Sequence, residues 1–201
     1  MFKDLGLQEK FYVFYIYLIV LGIVSDAIFY GIIGIQYLNY VSILDALISP
    51  FSLLTNSWKL TLFLSIMFYL VYLYTTKWSF QLHKRNRTKK WYKKLYNVEK
   101  WDKLYKDIED KKDVVPTMLV LFFVLFISLR LGMGIGTNIK IKEQRLQPDY
   151  NLVFKDNSIK KIRLIGQNSS FIFYVENQEK IISVTPLSDN IKQIKRIPQE
   201  D

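Results

Sequence analysis

Apolar residues gather into long unbroken runs over the first two thirds of the chain and into short separated runs over the last third. Phe11 to Val24 is fourteen residues without a charge, and after Ser25-Asp26-Ala27 the apolar character resumes through Ile28 to Ile35. That tripeptide places small residues at the spacing a signal peptidase prefers, but the resumption argues for a retained helix. Residues 11–33 form a helix of 23 positions, about 34 Å at 1.5 Å per residue, enough to cross a ~30 Å hydrocarbon core. A second run, Leu60 to Thr76, is bracketed by Trp58-Lys59 and Lys77-Trp78, the aromatic and basic flanks of a helix leaving lipid. The third occupies 115–136. Pro116 falls where a first helical turn tolerates it, Asp113 stands ready as a cap, and Gly132, Gly134 and Gly136 loosen the far end.

The stretches between these runs differ from one another. Residues 37–56 mix Tyr37, Tyr40, Asp45 and Pro50 with aliphatic residues, which predicts a helix lying at the interface or re-entering the bilayer, with a full additional crossing as the alternative. Residues 77–113 hold 13 Lys or Arg in 37 positions. Within them Trp91, Leu95, Val98, Trp101, Tyr105 and Ile108 recur every three or four residues, which predicts one amphipathic helix. From Asn151 onward, β-branched and aromatic runs at 151–154, 160–165, 171–175, 181–184 and 191–197 alternate with polar turn clusters, and 186–190 reads as a helical turn before the last strand.

The expected fold is therefore an α-helical membrane protein, with three transmembrane helices plus an interfacial helix, carrying a small C-terminal all-β domain built as an SH3- or Sm-like barrel or as a sheet. The membrane domain covers 1–136, a linker 137–148 and the β domain 149–198. About 55 residues make a thin core, so the β domain leans on the membrane part or on a partner.

Charge then orients the chain. Eight Lys or Arg lie between Lys77 and Lys94 and none between Ile43 and Trp58, so loop 77–113 is cytoplasmic by the positive-inside rule. One crossing later, the β domain is extracytoplasmic; Lys140, Lys142 and Arg145 pull weakly the other way. A net charge of +10 is read here as loop charge rather than as a nucleic-acid footprint, and nucleic acid is not an expected partner. The basic and aromatic residues Lys84, Arg85, Arg87, Lys89, Lys90, Trp91, Lys93, Lys94 and Trp101 are expected to face anionic lipid of the inner leaflet, at about 1 kcal/mol per cation. Their seam also suits a second copy or a partner membrane protein.

Candidate chemistry is sparse. With no cysteine there is no thiolate or disulfide framework, and the lone histidine, His83, sits among cations and reads as a solvated loop residue. No cofactor, metal or enzymatic activity is expected. Two charges fall inside the apolar runs. Asp26 and Arg130 each lie 15 residues from the cytoplasmic start of their helix, about 22 Å up at 1.5 Å per residue. A lone charge there costs at least ~2.5 kcal/mol, so we expect them to form an intramembrane ion pair. A wider polar site drawing in Asp45 and Lys59 is the more elaborate version.

Two stretches carry a resemblance. Tyr37-Leu38-Asn39-Tyr40-Val41-Ser42-Ile43-Leu44-Asp45, and Leu164 to Tyr174 followed by Thr185-Pro186-Leu187-Ser188, resemble segments of uncharacterised bacterial multi-pass inner-membrane proteins with a small C-terminal β module. The resemblance implies an inner-membrane setting and no site residues. These readings converge on a non-enzymatic membrane protein with an interaction, sensor or assembly role, whose outer module binds a partner. A small oligomeric channel or transporter subunit is the alternative.

Overall fold

The computed structural model describes residues 5–55, 58–109, 114–177 and 179–198. A helical N-terminal part is followed by a C-terminal antiparallel sheet. The helices are α1 (Leu7–Ile32), α2 (Ile43–Thr55), α3 (Trp58–Leu73), α4 (Ser79–Asn86), α5 (Lys90–Leu95), α6 (Val98–Glu109) and α7 (Val114–Lys142). A 3₁₀ turn at Tyr37–Asn39 precedes α2, and a π turn at Tyr74–Trp78 follows α3. The chain divides into two compact units, Met1–Tyr17 with Phe51–Phe126 and Leu18–Pro50 with Ile127–Asp201.

Three expectations change here. Among the described residues two helices, α1 and α7, are long and apolar enough to cross a membrane, not three. The apolar run expected at 60–76 becomes a 16-residue helix, α3, about 24 Å long; it widens into the π turn as the run gives way to Thr75-Thr76-Lys77. Residues 137–142 are not linker, because α7 continues through its glycines to Lys142. It ends where Gln144 takes a left-handed φ of 55° and the Arg145 and Gln144 amides bond back to Lys140 and Ile141. The cap expected at Asp113 falls outside the described residues.

In the first unit, Tyr17 Oη donates to the Leu119 carbonyl at 3.0 Å and its ring lies 6.3 Å from Phe123. Phe68 meets Phe122 edge-on at 5.6 Å. The basic segment is three short helices rather than one. Asn97 accepts from the Lys100 amide at 3.2 Å and so starts α6 anew, which breaks the predicted seam after Tyr96. The side chains of Tyr105 and Ile108, its last two members, lie outside the described residues.

The second unit is built on the sheet. Its strands are β1 (Tyr150–Phe154), β2 (Ile159–Gln167), β3 (Phe171–Glu176), β4 (Ile182–Pro186) and β5 (Ile191–Arg196), with a four-residue helix, α8 (Leu187–Asn190), before β5. All pairings are antiparallel in the order β4-β3-β2-β1-β5. β4 and β5 remain edges, so the sheet is open and the barrel does not close.

Successive residues of β3 point to opposite faces, and both faces are covered. Ile172 and Tyr174 join Leu152 and Ile162 in one core, which Leu187, Ile191 and Ile194 flank. Phe173 and Val175 join a second core with Phe29, Tyr30, Ile33, Ile35, Tyr37 and Ile141. The thin β domain thus completes its core against the ends of α1 and α7. A left-handed Gly34 (φ 91°) stops α1, with Ile35 and Gly34 amides bonding to Tyr30 and Gly31, and this turn brings Tyr37 back to stack on Tyr30 at 4.5 Å.

Candidate functional site

Two groups of polar residues in the second unit join its helices to one another and to the sheet. The first is the ion pair. The structure brings together Asp26 of α1 and Arg130 of α7, an Nη of Arg130 donating to Asp26 Oδ1 with both side chains buried. The guanidinium lies over the Phe29 ring, 4.3 Å from its centroid. Among the described residues Arg130 Nε has no hydrogen-bond partner. Beside the pair, burial pushes the Tyr37 phenol well above its ordinary range, and the Asp26 carboxylate adds to the effect.

The second group joins the sheet to α2. Ser42 and Asp45 cap the helix reciprocally: the Asp45 amide donates to Ser42 Oγ at 3.1 Å, and the Ser42 amide and hydroxyl donate to Asp45 Oδ2 at 3.1 and 2.6 Å. Asp45 has acceptor capacity left, and Ser169 takes it, donating from its amide and its hydroxyl at 3.0 Å each. Next to it, Asn168 Nδ2 donates to the Tyr40 carbonyl at 2.8 Å, while Asn168 Oδ1 accepts from the Ser170 and Phe171 amides. The Asn168-Ser169-Ser170 turn is thus a clamp on residues 40–45 with its asparagine fully engaged. The two stretches that carried the resemblance in the sequence are the two sides of this clamp.

Two close approaches make the arrangement possible. A Cβ on Gly166 would stand 2.1 Å from the Tyr30 hydroxyl, and one on Gly22 would stand 1.8 Å from the Ala46 carbonyl oxygen. At Gly22 the neighbour is backbone, so the position requires glycine, whereas at Gly166 the demand comes from the Tyr30 hydroxyl alone. Asp45 belongs to the clamp, and Lys59 is an exposed residue of α3; the wider site with Asp26 is not what the hydrogen bonds of Asp45 describe.

The first unit corrects the reading of His83. Far from solvated, it is buried at the centre of the basic segment, with Nδ1 3.1 Å from Tyr92 Oη and Nε2 2.6 Å from Asp102 Oδ1. These bonds tie α4 to α5 and α6. Burial raises the Tyr92 phenol, with nearby Tyr96, Tyr74 and Asp102 adding to it. Tyr92 stacks on Tyr96, and Tyr96 meets Trp101 edge-on, so half-buried Trp101 serves the fold of the segment. Trp91 and Leu95, one turn apart on α5, stay exposed, and so do Lys84, Arg85, Arg87, Lys89, Lys90, Lys93 and Lys94. At the elbow between α5 and α6, an open hollow of about 600 Å³ is lined by Lys93 and Lys94 with Tyr96, Asn97 and Glu99.

Sequence reasoning missed His83 and Ser169 as structural partners. Their signals existed only as residue types, because Tyr92, Asp102 and Asp45 lie 9, 19 and 124 positions from the atoms they meet. Comparison with protein families, with curated proteins and with solved structures found no match.

Proposed function

We propose that this chain is a non-enzymatic multi-pass protein of the plasma (inner) membrane with an interaction or sensor role. The observation that carries the reading is where its large apolar side chains point. Only 22 % and 17 % of the most apolar stretches of α1 and α7 are buried, whereas the core helix of a protein in water is mostly buried. Phe11, Phe14, Ile16, Val120 and Val124 stand exposed instead, a surface suited to acyl chains. The same holds for Leu62, Phe63 and Ile66 of α3.

The positive-inside count places 77–113 in the cytoplasm. On this reading α1 leads outward, the path through α2 and α3 returns, and α7 leads outward again to the sheet. Inside, the folded α4–α6 segment rests its Trp91 and Leu95 on the inner leaflet, with Lys90 and Lys94 at anionic phosphates. Outside, the sheet offers the surface for a partner and is held to the membrane part by the shared aromatic core and the clamp on Asp45.

The natural absence of cysteine makes the test clean. In intact cells a membrane-impermeant maleimide should label Gln193→Cys, and should label Lys94→Cys only after permeabilisation. Labelling of Lys94→Cys from outside, or protection of Gln193→Cys, overturns the topology and the role built on it.

A further inference from the structure

We infer that α2 is a lipid-seated helix, its aliphatic face solvated by acyl chains of the outer half of the bilayer while its small and polar face is turned to the protein. The inference rests on the membrane reading above and goes beyond it, since α2 is too short to be read as a span by itself.

At 100° per residue, Ile43, Leu44, Leu47 and Ile48 occupy one arc of about 140°. Ile43, Leu44 and Ile48 of that arc are 65 %, 66 % and 56 % exposed. The complementary arc holds Asp45, Ala46, Ser49 and Pro50, of which Ala46 is completely buried and Pro50 is also buried. A helix on the surface of a protein in water turns its large aliphatic residues inward and its polar residues out. From Ile43 to Pro50 α2 does the reverse, so the medium this stretch is built for is apolar; Ser52 and Thr55, beyond it, are exposed.

Depth agrees with this. Ala46 meets α1 at Gly22, where even one methyl group would collide with the α2 backbone. Gly22 is ten residues before the end of α1 at Ile32, about 15 Å below it. At that level a bilayer-crossing α1 is surrounded by acyl chains, and the exposed Val20 just below continues the same apolar surface. Beside this face the polar groups bond to one another: half-buried Asp45 takes four hydrogen bonds from the exposed Ser42 and Ser169, and Asn168 reaches the Tyr40 carbonyl. Polar groups inside hydrocarbon require this.

Nitroxide labels at Leu44→Cys and Ile48→Cys, in the full chain reconstituted into phosphatidylglycerol–phosphatidylethanolamine vesicles, test the inference by collision with oxygen and with a water-soluble nickel chelate. A label at Val120→Cys reports the membrane reading independently, and one at Lys192→Cys on β5 reports the aqueous limit. The expected result is retention of oxygen access with loss of chelate access at 44 and 48, matching 120 and opposite to 192. Chelate access at 44 and 48 with protection at 120 overturns the lipid seat and leaves the membrane reading standing. Chelate access at all three removes both. Exclusion of both reagents at 44 and 48 means a protein surface covers the face and likewise overturns the inference. All the labelled side chains are exposed, and Ile43→Cys repeats the measurement should either α2 variant fail to assemble.

Discussion

Removing one member of the Asp26–Arg130 pair should be far more damaging than removing both. Asp26→Leu leaves a guanidinium that is 6 % exposed, whose Nε lacks a partner among the described residues, with the Phe29 ring 4.3 Å away. Arg130→Met leaves a buried carboxylate and also forfeits the contact with that ring. Breaking a buried pair from either side costs about 3–5 kcal/mol, whereas replacing both charges by apolar groups of similar volume is close to neutral. Each single variant should therefore shift the folding equilibrium of this unit by roughly two to four orders of magnitude, and the double variant should recover most of the loss. The assay is pulse proteolysis in mixed micelles, read on the C-terminal sheet. Tryptophan fluorescence would report the wrong unit, because Trp58, Trp78, Trp91 and Trp101 all belong to the other one. If the double variant loses the sum of the singles, within the ~0.5 kcal/mol expected of independent sites, the two charges do not support each other and the reasoning fails.

Three further outcomes follow from the close contacts. Gly22→Ala drives a methyl into the Ala46 carbonyl, 1.8 Å away, so α2 must shift at a cost of about 1–3 kcal/mol; faster hydrogen exchange at the Ser169 amide, the donor to Asp45, should record it. Gly166→Ala collides with the Tyr30 hydroxyl, and Tyr30→Phe in the same chain should rescue it, because the next atom of that ring stands 3.3 Å off; thermal unfolding of the single and double variants decides this. His83→Leu strips a partner from buried Tyr92, about 1–3 kcal/mol for a buried group left unpaired, and releases half-exposed Asp102 to water, and should make the 87–97 segment cleavable by trypsin while leaving the sheet resistant.

The parts of this fold that were legible in the sequence are those governed by local pattern. The five strands follow from β-branched runs between polar turns, and 186–190 reads as a turn because proline, serine, aspartate and asparagine crowd there. Asp26 and Arg130 match by counting residues from the starts of the apolar runs at 11 and 115, each 15 positions, which an α-helix's fixed rise turns into equal depth; the helices themselves begin at Leu7 and Val114. What local pattern could not supply is partner choice across long separations. His83 looked solvated because its sequence neighbours are cations; its structural neighbours are a phenol and a carboxylate one and two helices further on. The predicted amphipathic seam ran through Asn97 because side-chain period alone ignores a capping residue that can begin a new helix. Barrel closure depends on whether β4 and β5 pair, and neither strand carries a signal that decides it. The 60–76 run was apolar enough but too short once the helix changed to a π turn at Tyr74.

The aromatic core shared between α1 and the sheet also sets an order of events during synthesis. Phe29 and Tyr30 leave the ribosome about 140 residues before Phe173 and Val175, which cover them; at 5–20 residues per second that is a wait of roughly 7–30 s. Throughout this interval the C-terminal end of α1 has Ile35, Tyr37 and then Ile141 beside its rings but lacks the two strand residues, and β5 follows the other four strands. A nascent chain of this design leaves one defined patch of its core incomplete until β3 is made. Chaperones and quality-control proteases would find it at Tyr30 and Tyr37, and a chain cut short before β3 would carry that patch permanently.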